Sequence, residues 1–146
     1  MSNLGFDWQI SEYMVYCRSR QLRKKTMDSY EQGLRLFERW SQEQMGIDDV
    51  SKITEAVIRR YINDLTERGK YTFYSNDKAK DINFPDRRRD FRHPISTCTI
   101  NNYIRVLRAF FNWLDIECAI RKNPMKKIRQ LKDERKAREY SFTLSI

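Results

Sequence analysis

This sequence predicts an all-α fold, a small bundle of four to five helices, and three observations carry that expectation. Apolar residues recur at steps of three and four through most of the chain, the period that lines one face of a helix. Only four Gly and three Pro occur in 146 residues, too few for a turn-rich β architecture. Hydrophobic residues make up 40% and charged ones 34%, enough apolar side chain for one packed domain whose helices keep a wet face.

The first helix is expected from about Asp7, as N-cap, to about Arg20, with Ile10, Tyr13, Met14 and Cys17 turned inward. The second follows "LRKK", with Thr26 as N-cap and Asp28 in the first turn, where a carboxylate suits the helix dipole. Met27, Tyr30, Leu34, Phe37 and Trp40 form its apolar stripe, and Gly46 followed by Ile47 closes it in the manner of a C′ glycine. The third starts at Thr54, buries Val57, Ile58, Tyr61, Ile62 and Leu65, and ends at Gly69. The fourth lies in "STCTINNYIRVLRAFFNWL", capped by Ser96 or Thr97 and ending near Glu117, with Ile100, Ile104, Leu107, Phe111 and Leu114 on one face.

Two stretches lack this regularity. Residues 70–95, "KYTFYSNDKAKDINFPDRRRDFRHPI", read as a long basic loop between the third and fourth helices, of a length that is functional or disordered in most compact domains. "YTFY" there suits a short hairpin, and Tyr71, Phe73 and Tyr74 are candidates for stacking on bases. Asn123-Pro124 turns the chain after the fourth helix, since the residue before proline disfavours the helical region. Residues 121–146 read as a basic linker, mostly helix-compatible, with Phe142, Leu144 and Ile146 alternating like the start of a strand. The expected organisation is a helical domain over 1–120 and a linker over 121–146.

The formal charge is +9 and the pI about 9.6, an excess that points to a polyanionic partner, above all nucleic acid. No run approaches the ~20 apolar residues of a membrane span, and "MSNLGFDWQI" is no signal peptide, so a cytoplasmic protein without a membrane partner is expected. Cys17, Cys98 and Cys118 are far apart and odd in number, which reads as three reduced, mostly buried thiols. With His93 the sole histidine and no CxxC, no metal or other cofactor is expected. No Gly-rich phosphate loop, GxSxG or clustered carboxylate pattern supports an enzyme.

Two helical surfaces are candidates for nucleic-acid binding, and the basic stretches "PDRRRDFRHP" in the loop and "RKNPMKKIRQLKDERKAR" in the tail are each candidates for tracking a phosphate backbone, although a disordered linker would look much the same. Lys24, Lys25, Thr26 and Ser29 sit at the start of the second helix, where free amides and the positive dipole end can hold a phosphate; a solvated basic turn would look the same. On the fourth helix a second stripe, Asn101, Arg105, Arg108 and Asn112, runs beside the apolar one, with Ser96, Thr97 and Thr99 at its start and Asn102 further round. Asn pairs bidentately with adenine, Arg with guanine, and Thr reaches a thymine methyl or a phosphate. A polar face built for solubility would mix in Glu and avoid Asn, a poor helix former.

In their order, "LRKKTMDSYEQGLRLFERW", "ITEAVIRRYINDLTERG" and "STCTINNYIRVLRAFFNWLDIECAIRKNP" resemble the core-binding domain of tyrosine recombinases, the phage-integrase and Xer-like group, over roughly residues 7–130. The resemblance implies a SAM-like helical bundle that clamps duplex DNA, with the second and fourth helices at the major groove. It implies Lys24, Lys25, Thr26, Ser29, Thr97, Thr99, Asn101, Asn102, Arg105 and Arg108 as contacts, and other recombinase protomers as partners on DNA. The loop 70–95 is longer than the family's usual link. The family's catalytic arginine, lysine, His-x-x-Arg and late nucleophilic tyrosine belong to a second domain; no His-x-x-Arg occurs here, and "EYSFTLSI" reads as the first residues of that missing domain. The expectation is therefore DNA binding without cleavage, by a fragment or truncated relative. A stand-alone helical regulator, or a basic module for protein or RNA, fits the same charge.

Overall fold

The structure, a computed structural model, describes residues 4–68 and 95–132. Among these residues it is all-α, with four α-helices: α1 (Phe6–Ser19), α2 (Lys24–Trp40), α3 (Glu55–Arg68) and α4 (Thr97–Ile116). The loop 70–95 lies outside the described residues except for Ile95, as do the hairpin at "YTFY", the stacking candidates Tyr71, Phe73 and Tyr74, His93, and the strand-like end of the chain.

Most expected spans hold, with shifts at their starts. α1 begins before Asp7, with Gly5 as N-cap, because the chain entering it is already fixed: Phe6 N–H donates to the Asp48 carbonyl (3.0 Å) and Val50 N–H to Leu4 (2.8 Å). Asp7 then falls in the first turn, and its carboxylate takes the Arg35 guanidinium of α2 at 2.7 Å. Glu38 shares that guanidinium at 3.2 Å; burial pushes its carboxyl above the usual range, with Arg35 pulling the other way. α2 is correspondingly antiparallel to α1, with Phe6 meeting Phe37 and Tyr13 meeting Tyr30.

After Trp40 the α2 ladder widens into one π-helical turn, Ser41–Met45, before Gly46 takes a left-handed φ of 65° and Ile47 N–H closes back on the Ser41 carbonyl at 3.0 Å. Asp49 caps a short 3₁₀ turn, Val50–Lys52, and Thr54 caps α3, its hydroxyl accepting from Val57 N–H at 3.4 Å. The Trp40 indole N–H reaches the Asp64 carboxylate at 3.0 Å and ties α2 to α3.

α4 is the central helix. Besides the predicted Ile100, Ile104, Leu107, Phe111 and Leu114 it buries Val106 and Phe110, so two apolar faces are covered rather than one. The second face meets α2, where Gly33 lets the backbones approach: a Cβ there would stand 3.3 Å from Val106 Cγ1. Tyr13, Phe110 and the half-buried Trp113 complete an aromatic cluster between α1 and α4. α4 ends in a Schellman turn, Cys118 N–H to Asp115 O at 3.0 Å and Ala119 N–H to Leu114 O at 2.9 Å, with Cys118 itself at φ 58°.

Beyond α4 the packed body continues. Ile120, Met125 and Ile128 belong to the core, so residues 121–132, expected as the start of a linker, lie on the domain instead. They form turns, not helix, since their polar backbone groups find partners on α4 described below. The cysteines divide as well: Cys17 is buried, its thiol pushed up by burial, whereas Cys98 and Cys118 are exposed, against the expectation of mostly buried thiols.

Candidate nucleic-acid interface

The start of α2 is built differently from the sequence expectation. Arg23, in extended backbone, occupies the N-cap position, and Thr26 is three residues into the helix. Lysine is a good helix former and nothing in "RKKT" stops the helix from beginning one turn earlier. The first ladder bond runs from Met27 N–H to the Arg23 carbonyl at 3.0 Å, which leaves the amides of Lys24, Lys25 and Thr26 outside the ladder. No acid lies in this first turn, so two exposed ammonium groups stand at the positive end of the helix dipole. Neither pairs with a carboxylate among the described residues. Ser29 is exposed but sits in the second turn, on the side of the helix rather than at its end.

At the start of α4 the cap is Ser96, whose hydroxyl oxygen accepts from Thr99 N–H at 3.2 Å and lies 2.9 Å from the Thr99 hydroxyl. Thr97 and Thr99 are half-buried. Further along, the polar stripe splits. Asn101 is half-buried and already paired: its Nδ2 donates to the Leu131 carbonyl at 3.0 Å and its Oδ1 accepts from Leu131 N–H at 2.7 Å. Arg108 Nη2 donates to the Ile128 carbonyl at 2.5 Å, and the Asn112 side-chain oxygen accepts from Asn123 Nδ2 at 2.7 Å. Three members of the stripe expected to face a groove therefore hold the chain's own return segment.

The arc left to solvent is centred on Asn102 and Arg105, which are exposed and touch each other through Arg105 Nη1 and Asn102 Oδ1 at 3.2 Å. Arg105 stands where it was expected, but Asn102, placed further round the helix by the sequence reading, is the freer of the two asparagines. The signal that separates Asn101 from Asn102 lies thirty residues away in the chain, at Leu131. Periodicity within α4 does not contain it.

A further basic surface falls within the tail stretch expected to track a phosphate backbone. A cleft of about 920 Å³ opens between Leu4, the capped start of α3 and the segment after α4, and Arg121, Lys122, Lys126 and Lys127 line it. It borders Asp115, about 15 Å along α4 from Arg105 at 1.5 Å per residue. Among the described residues no three His, Cys, Asp or Glu side chains cluster to hold a metal ion, and no helix is long and apolar enough to cross a membrane.

Residues 10–76 match the family model of the phage integrase N-terminal SAM-like domain. The match spans most of α1 and all of α2 and α3, while α4 lies beyond it. No curated protein and no solved structure matches the chain.

Proposed function

We propose, taking the match of residues 10–76 to an integrase N-terminal domain as the premise, that this chain is the core-binding domain of a site-specific tyrosine recombinase. It binds duplex DNA in a sequence-directed way, within the cytoplasm and alongside other recombinase protomers, and does not cut the strand. The positive charge of the chain steers the approach. Lys24, Lys25 and the amides at the start of α2, with Thr26 and Ser29 beside them, anchor a phosphate. Arg105 and Asn102 reach base edges, with Thr97 and Thr99 at the end of the same helix; Asn101 and Arg108 join them only when their present partners are displaced. That strand cleavage lies elsewhere is supported by the lack of any His-x-x-Arg in the sequence.

The observation that carries this reading is the pair of exposed lysines set against the helix dipole with no acid in the turn. Such an arrangement disfavours the free helix end and is relieved by an anion. Fluorescence anisotropy with a random-sequence duplex tests it. Lys24→Ala/Lys25→Ala is expected to weaken binding on every sequence and to flatten the slope of log K against log salt by about 2, one phosphate per lysine. A slope that stays as it was would make these lysines solvated bystanders.

A further inference from the structure

The segment after α4 doubles back along the helix. Asn123 starts the return, its Oδ1 accepting from Met125 N–H at 2.9 Å, and Ile128 N–H closes a turn on Met125 O at 3.1 Å. The chain then runs beside Arg108 and reaches Asn101 at Leu131. Met125 is 1% exposed and Ile128 6%, so this strap is packed as well as hydrogen-bonded.

The way Asn101 holds the strap is chemically specific. Its amide spends one donor and one acceptor on the N–H and C=O of a single residue. An adenine edge in the major groove presents the same pattern, N6–H beside N7, to the same amide. Arg108 is in a similar position, because Nη2 is committed to a carbonyl and the fork that would clasp a guanine is not free. The strap also carries Lys126, Lys127 and Arg129, all exposed, and none pairs with a carboxylate among the described residues. These cations gain phosphate partners if the strap shifts beside a duplex.

We propose that the Asn101–Arg108 face of α4 is a groove for which the chain's own strap and duplex DNA compete, so that the strap masks two base-reading side chains until DNA displaces residues 128–131. This rests on the DNA-binding reading above. Met125, deeper in the core, keeps the root of the strap in place, and Asn102 and Arg105 remain open in both states and make the first contact.

Amide hydrogen exchange on the full chain, followed with and without a random-sequence duplex pool at low salt, tests the competition. Without DNA the Leu131 amide is protected through its bond to Asn101. At saturation, confirmed by anisotropy, its exchange is expected to become about tenfold faster, while Phe37 and Phe111 stay protected. Leu131→Pro, which removes that N–H and nothing on α4, is expected to tighten duplex binding several-fold; Asn101→Ala, which frees the strap but deletes the reading group, brings no such gain. Saturable binding with Leu131 protection unchanged, or no gain in Leu131→Pro, would overturn the competition and leave DNA binding standing. No binding at low salt would remove both.

Discussion

Cys118 shows how one residue can sit in a place that another would fill more easily. It occupies the left-handed position of the Schellman turn that ends α4, at φ 58°, where a Cβ meets the neighbouring carbonyl. Glycine has no such clash, and Cys118 is exposed, so little packing is lost on replacing it. Cys118→Gly is expected to raise stability by about 1 kcal/mol in urea unfolding, whereas Cys118→Ala, which keeps the Cβ, should leave the midpoint unchanged. At the same scale lies the difference between Asn101 and Asn102. Both are neighbouring polar residues on a helix whose apolar period is clear, and local sequence ranks them by angle alone. Their real distinction is a partner thirty residues away, which is why the polar stripe was legible and its occupant was not.

Among the elements, the helices themselves were readable because each carries an apolar stripe of the right period and a residue type that starts or stops it. Ser96, Thr54 and Gly46 do in the structure what their types suggest. Where the expectation slipped, tertiary contacts had decided: the start of α1 is set by its pairing with the α2–α3 connection, and the start of α2 has no side-chain cap at all. The π-helical turn after Trp40 has no sequence signature comparable to a glycine or proline. The second buried face of α4 was missed because Val106 and Phe110 were masked by the stronger stripe, although Gly33 opposite them is the kind of residue that signals a close helix crossing. Gly33→Val is expected to destabilise the fold by about 1–3 kcal/mol, seen as a lower denaturation midpoint, because branched carbons must enter the space held by Val106 and Tyr103. Gly33→Ala should be near neutral, since about 1 kcal/mol of helix propensity offsets a single tight contact.

For the whole molecule, composition anticipated the all-α fold of the described residues, and the charge is what supports the proposal of a partner of opposite sign. The +9 charge has a second effect, which runs against the first. The pairs Arg39 with Glu43 and Arg59 with Glu55 are one helical turn apart and partly open to water, so each contributes little, whereas the Arg35 cluster with Asp7 and Glu38 is more enclosed. Net repulsion outweighs them, and salt screens it. The melting temperature should therefore rise by a few degrees between low salt and about 0.3 M, over the range in which duplex binding weakens; a falling melting temperature would mean that the ion pairs dominate. The strap, finally, fixes more than two side chains. Held at Leu131, the strap has a defined position beside the N-terminal half of α4. Freed from Ile128 onward, the four residues 128–131 become a tether with a root-mean-square reach of roughly 11 Å, and the local concentration of anything attached to it changes from that of a fixed neighbour to that of a leashed one.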